Sequence, residues 1–545
     1  MLKQTILATE KVKRETGLSH VFASLNILTP YGQKQLRGMR PFMPGEEARL
    51  EEEFERIQKI GEIIGRDDRR TGQLKETLMM VKDNTLTIEK SADSVLTVVE
   101  LFELKNLLLQ MEKLRKMHEI EHFPPEYVPF DVTPLLDHLD PDGGRISTFF
   151  IYDSFSERLA DLRGLRKDAE RKIRKTQKQK ALQLRKQRGI ALTPKFELQV
   201  NKADRERIKA IEEIPELEKS AEDYMTITWR LAADEETDAL ARSIEEYNQQ
   251  IEVEEYEVRR DLSGYVSEYR ESLLESCRRI GELDLAIAKA GYARERKCCT
   301  PQIVPEHRIS FAEGRHLQVE EILKRDGGEY CPISIDLEDG VTCITGANMG
   351  GKTISLKLVG LIILMAQYGL PVPCASAELG LCSSVRILIG DSQSIERGLS
   401  SFGSEMEELR TMLAECQDRS LLLIDEIASG TNPSEGLALT RAIVDHLKEE
   451  AVITLITTHF ERVAEGDDVV NLQVTGLSDA DLSQLNVQLK AAGSQDRVNV
   501  IRRFMDYRLK RVDGRGDVPR DALHIAQMLG IDEDIIERAK EYLNE

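Results

Sequence analysis

The stretch GANMGGKT, residues 346–353, decides the reading of this chain. It follows the apolar run VTCIT and precedes ISLKLVGLIILM, so a strand, a glycine-rich turn and a helix are expected in that order. Gly346, Gly350 and Gly351 let the backbone curl its amide hydrogens toward phosphate oxygens. Lys352 adds a positive charge for β and γ phosphates, and the Thr353 hydroxyl suits a magnesium ion. ATP and Mg2+ are therefore the expected cofactors.

Two further stretches belong with the first. SLLLIDEIASGTNPSEG, residues 420–436, ends an apolar run with Asp425 and Glu426. A carboxylate at a buried strand's end can orient a metal-bound water, and its neighbour can polarise an attacking water. Asp425 is thus expected at the metal beside Thr353, and Glu426 as the hydrolytic base. AVITLITTHF, residues 451–460, delivers His459 to the same sheet edge, where an imidazole can sense a terminal phosphate. The predicted catalytic set is Glu426, His459 and Lys352. From Ile309 onward, short β-like runs alternate with amphipathic helices, the texture of a parallel-rich sheet covered by helices.

Upstream the texture differs. VELFELKNLLLQMEKLRKMHEIEH places Leu101, Leu104, Leu108 and Met111 on one helical face, and Pro124 and Pro125 stop it. Within it, HEIEH matches the zinc-protease pattern at His118, Glu119 and His122, but no third ligand follows at a suitable spacing, so a solvated helix end is the better reading. From Arg163 to Arg188 there are twelve Lys or Arg against two acids; from Asp204 to Glu282 there are 23 acids against 11 bases. If GIALTPKFELQV, residues 189–200, forms a turn or short β tip, the flanks fold back as an antiparallel, coiled-coil-like arm whose charges offset each other. Forty helical residues would reach roughly 60 Å. The predicted domains are a helical core over 1–150, a lever arm over 151–290 with a short tip near 189–203, and an α/β nucleotide-binding domain with a C-terminal helical segment over 291–545.

Composition sets bounds. A formal charge of -21 repels polyanions at long range, so any nucleic-acid contact has to be local. Eight cysteines show no C-x-x-C pair, and MLKQTILATE is not a secretory leader; reduced thiols and a cytoplasmic location are expected. Adjacent Cys298 and Cys299 read as buried or idle thiols more readily than as a redox pair. LVGLIILMAQYGL, from Leu358, is too short to span a bilayer, which takes about 20 apolar residues.

With these motifs in hand, the chain resembles the MutS family of ABC-type ATPases. GANMGGKT is similar to the family's G-P-N-M-G-G-K-S loop, with Ala347 for proline and Thr353 for serine; the match adds Asn348 to the nucleotide contacts. GLSSFGSEMEEL, residues 398–409, resembles the family's S-T-F signature, which implies that Ser400 reaches the nucleotide of a partner subunit. TPYGQKQLRGMRPFMP at 29–44 and EGRHLQVEE at 313–321 resemble the helical core and the segment before the ATPase, with Leu317 where proline is usual.

The ATPase motifs look closer to the branch that usually carries a C-terminal Smr domain, which is not expected here. Nor is a mismatch-reading segment ahead of the core. DALHIAQMLGIDEDIIERAKEYLNE resembles the closing dimerisation segment. The resemblance implies a homodimer or MutS-like heterodimer, an ATP-driven clamp acting on DNA in mismatch repair or recombination, held through the arm and tip. The rival implication is a protein remodeller, reactivating a cobalamin-dependent lysine aminomutase. Neither involves a membrane.

Overall fold

The computed structural model describes residues 6–346, 351–390, 401–460, 463–464, 468–477, 504–512 and 521–544, with isolated positions between 485 and 501. The chain divides into two compact units, one of residues 80–119 and 129–278, the other of residues 6–79, 120–128 and 279 onward.

In the first unit, the helix Val98–Glu121 buries Leu101, Leu104, Leu108 and Met111, the expected face. It also buries Lys105, whose ammonium donates to Asp140 Oδ1 at 2.9 Å, the Thr148 carbonyl at 2.8 Å and the Tyr152 hydroxyl at 3.2 Å. Three partners satisfy all three donors, which makes burial of the charge tolerable.

The arm pairs the helices Glu157–Arg188 and Glu235–Glu268. Ser156 meets Glu254, Arg166 meets Asn248 and Lys180 meets Asp234, so the two run antiparallel. Ser156 and Asp234 cap their N-termini, the latter in a capping box with Thr237. Cross-helix ion pairs join Arg163 to Glu255 at 2.6 Å, Lys180 to Asp234 at 2.7 Å and Arg158 to Glu254 at 3.8 Å. The charge neutralisation is partial: Lys172, Arg174, Lys175, Lys178, Arg185, Lys186 and Arg188 are exposed.

The tip is larger than the sequence suggested. The expected helical return from Asp204 holds only over Arg205–Glu212 before Glu235; between stand two of three strands, β1 (Glu197–Asn201), β2 (Leu217–Glu222) and β3 (Thr226–Leu231), in the antiparallel order β1-β3-β2. TITWRL alternates inward Ile227, Trp229 and Leu231 with outward residues, a period-2 pattern masked by the acidic flanks. With Leu184, Leu198, Val200, Ile211, Ile214 and Leu217 they form a separate small core.

The second unit holds two sheets. Strands β4 (Gln302–Val304), β5 (Arg308–Gly314), β6 (Ile333–Glu338) and β8 (Ser376–Gly380) make a sheet in the order β4-β8-β5-β6. The larger sheet runs β13-β12-β7-β11-β10-β9, from β7 (Gly340–Thr345), β9 (Ser384–Ile389), β10 (Ser420–Asp425), β11 (Ile453–Thr457), β12 (Val469–Gly476) and β13 (Asp506–Arg511). All its neighbours pair parallel except β12 with β13. The central strands β10 and β11 are buried on both faces, hence the continuous apolar runs LLLID and ITLIT.

The helix Gly351–Gln367 is buried on every side. One reason is that the N-terminal segment covers it: Leu7, Ala8, Val12, Leu18 and Val21 share its core, and Lys357 pairs with Glu15 at 3.0 Å. A Cβ on Gly360 would meet Thr16 Cγ2 at 2.7 Å and Leu423 at 2.8 Å, so only glycine permits this approach. The apolar run from Leu358 is therefore core, and no helix among the described residues is long and apolar enough to cross a membrane.

Trp229 is the chain's single tryptophan and lies in the tip core. Leu198→Ala should cost about 2–5 kcal/mol of tip stability. Followed by Trp229 emission in a denaturant titration, the red shift should move to lower denaturant; an unchanged midpoint would contradict this packing.

Candidate nucleotide site

The register of the large sheet aligns three chemically distinct strand ends. Asp425 of β10 lies opposite Thr457 of β11, which lies opposite Ile344 of β7. Carboxyl ends of parallel strands are where such sheets bind ligands. Gly346 follows β7 with φ +120°, a conformation that glycine favours, and a Cβ there would press on Val474 at 3.3 Å.

Asp425 is 8% exposed and is the hub. Thr353 Oγ1, from the first turn of the helix Gly351–Gln367, donates to its carboxylate at 2.9 and 3.1 Å. Thr457 Oγ1 donates from the other side in a short bond. Thr457 in turn accepts the Glu426 amide, through its carbonyl at 3.0 Å and its hydroxyl at 3.1 Å. Glu426 and Ala428 have φ of +45° and +59°, so the chain leaves β10 through two left-handed non-glycine residues. Backbone of this kind persists only where surroundings hold it. Thr457 holds the first; Glu405 accepts the Ala428 amide at 3.2 Å and holds the second. Burial raises the Glu405 carboxyl above its usual range, opposed by that amide.

Lys352 is 3% exposed, and its Nζ donates to the Gly346 carbonyl at 2.9 Å and lies 3.2 Å from Glu426 Oε1. The sequence-predicted Gly346, Gly351, Lys352, Thr353, Asp425 and Glu426 thus converge on one sheet edge. His459 stands two residues beyond β11, exposed, its ring 4.4 Å from that of Phe460. Asn348, Gly350 and Ser400 lie outside the described residues; the helix Ser401–Ala414 begins directly after the last. Sequence reasoning missed Thr457 and Glu405. Two threonines closing the apolar strand ITLIT were the available signal for the first; nothing in the sequence marked the second.

A hard cation takes oxygen donors. The Thr353 hydroxyl and the Asp425 carboxylate, within 3.1 Å of each other, fit magnesium. The zinc reading of HEIEH fails on geometry: the helix ends at Glu121, and His122 follows with φ +56°. No group of three His, Cys, Asp or Glu suited to a metal occurs among the described residues.

A parallel-rich sheet with these groups at its carboxyl edge, beside a helical N-terminal region, is the architecture of an α/β ATPase domain. Residues 342–545 match the family model described as MutS domain V. The chain is similar to Endonuclease MutS2 of Pediococcus pentosaceus, 39% identical over 220 residues, which is 39% of this chain and 27% of that protein. It is 32% identical over 299 residues to Endonuclease MutS2 of Lactiplantibacillus plantarum, covering 53% of this chain and 33% of that one. With Endonuclease MutS2 of Geobacillus sp. (strain WCH70) the identity is 35% over 291 residues, 52% and 33% of the two chains. Residues 342–545 are thus similar to MutS domain V, and the chain's match spans about a third of the length of these curated relatives.

Thr457→Val removes a donor from the buried Asp425 and an acceptor from Glu426. The expected loss is about 1–3 kcal/mol in chemical unfolding, with no change in the sheet's far-ultraviolet signature. A stability equal to that of the parent would show that Thr457 does not brace the site.

Proposed function

We propose that this protein is a P-loop ATPase of the ABC type that works as a dimeric clamp on DNA. The observation that carries the reading is the convergence of Lys352, Thr353, Asp425 and Glu426 at aligned strand ends. Gly346, Asn348, Gly350 and Gly351 would present backbone amides to the phosphates. Lys352 would exchange its contact with Glu426 for phosphate oxygens, leaving that carboxylate to polarise a water. The water's oxygen would add to the γ-phosphorus as its proton passes to Glu426 and the bridging oxygen departs with ADP. His459 would report the γ-phosphate. Magnesium, held by Thr353 and Asp425, would supply charge neutralisation at the β and γ oxygens.

Dimerisation has support in the C-terminal helices Asp521–Leu529 and Glu533–Asn544, where Ile535 and Tyr542, with Ile531 of the intervening turn, are exposed. Ser400 would complete the partner's site, and closing around ATP would move the arms. The domain assignment is a helical core over 1–150, an arm over 151–290 and an ATPase with its dimerisation segment over 291–545, in the cytoplasm.

DNA is favoured over a protein client by the run of exposed bases from Lys172 to Arg188, which the arm's acids leave available. Such binding should fall steeply with salt, the slope tracking the number of phosphates contacted. The relatives are named as endonucleases, which points to nucleic acid for those proteins.

Two measurements test the reading. Glu426→Gln should retain ATP binding while turnover falls by at least about tenfold and the dimer persists; unchanged turnover would remove Glu426 as the base. ATPase rates should rise with duplex or branched DNA, and the rise should shrink when Lys172, Arg174, Lys175 and Lys178 become Gln. Stimulation by an inactivated cobalamin aminomutase instead, with none by DNA, would transfer the clamp to a protein client.

A further inference from the structure

Outside the nucleotide site, the structure brings together two thiols that the sequence keeps far apart. Cys299 Sγ lies 3.4 Å from Cys374 Sγ, across 75 positions of chain. The approach is built by the backbone. Cys299 and Val372 exchange both amide–carbonyl hydrogen bonds at 2.8 Å, an antiparallel bridge that sets Cys374 beside Cys299. Arg315 fixes the same junction: its guanidinium donates to the Arg296 carbonyl and, at 3.0 Å, to that of Lys297, while its amide donates to the Pro373 carbonyl at 2.9 Å. The end of the helix Arg270–Arg296 and the segment after the helix Gly351–Gln367 are thereby held in register.

Access is unequal. Cys299 is partly exposed and lines a cleft of about 1000 Å³ between the two sheets, together with Thr300, Arg308, Ala375 and Ser376. Cys374 is 4% exposed. One thiol thus faces solvent-borne reagents and the other waits behind it.

We propose that Cys299 and Cys374 form a reversible redox site, with Cys299 attacked by a hydroperoxide and Cys374 resolving the product as a disulfide. The Cys299 thiolate takes one oxygen from hydrogen peroxide, giving a sulfenic acid and hydroxide. Cys374 sulfur then displaces that oxygen as water. Summed, two thiols lose two electrons and two protons, and the peroxide becomes two waters. The sulfurs need to close to a bond of roughly 2.05 Å. A Cys374 thiol donating to Cys299 holds the Cys299 thiol below its usual pKa range, which favours the attacking thiolate; the same contact pushes Cys374 up. Cys298, whose thiol burial pushes up to about 12, takes no part. The bond would enclose β4 to β7, residues 346–353 and the helix after them in one covalent loop, coupling the oxidation state to the segment that presents Lys352 and Thr353.

The test is peptide mapping of the reduced full chain after brief exposure to stoichiometric hydrogen peroxide and quenching with an alkylating reagent. The expected product is a linked peptide of Cys299 and Cys374, lost on reduction, present in Cys298→Ser and absent in Cys299→Ser. In Cys374→Ser, capture of Cys299 by a sulfenic-acid probe should rise several-fold over the parent chain. If Cys374 alkylates fully after peroxide, or if Cys299 is found joined to Cys298, the proposal is overturned; the parent and Cys298→Ser chains decide this even if the others fail to fold.

Discussion

The carboxylate of Asp425 is the point on which the candidate site depends. It sits at the end of a buried strand, nearly out of solvent, and hydroxyl donors reach it from Thr353 on one side and Thr457 on the other. Those donors belong to the helix that follows the glycine-rich turn and to the neighbouring strand. One buried charge therefore ties three elements together, and a buried carboxylate left without donors would be costly enough to pull them apart. Glu426 inherits its position from the same knot, because its amide is held by Thr457 while its backbone is forced left-handed.

The rest of the unit keeps that knot rigid. Four parallel pairings place the strand ends level, and a helix buried all round cannot tilt without opening a core that extends into residues 7–25. Lys11 pairs with Glu408 on the helix Ser401–Ala414, and Lys357 with Glu15, so the N-terminal segment touches both helices that flank the site. Glu405, one turn from Glu408, braces the loop after Asp425.

The α/β unit was legible in the sequence because its signals are local. Three glycines and a lysine occupy the eight residues directly after a strand; an apolar run ending in Asp-Glu announces a buried strand with charge at its end. A pair of charged helices was legible from opposite charge and helical period, and Arg163 and Lys180 pair across the two antiparallel helices. The tip was not, because Ile227, Trp229 and Leu231 carry a period of two inside a window whose acidity resembled a helix. Thr457 and Glu405 matter through contacts with residues more than twenty positions away, which no local pattern encodes. Cys299 and Cys374 are the extreme case: two unremarkable thiols whose meeting depends on a bridge between a helix end and a distant loop.

If the Thr353 hydroxyl and the Asp425 carboxylate hold magnesium beside the phosphates, calorimetric titration of ATP with and without magnesium will separate the parent chain from Asp425→Asn. Magnesium should tighten ATP binding to the parent, and most of this gain should be lost in the variant. An equal gain in both would rule the niche out.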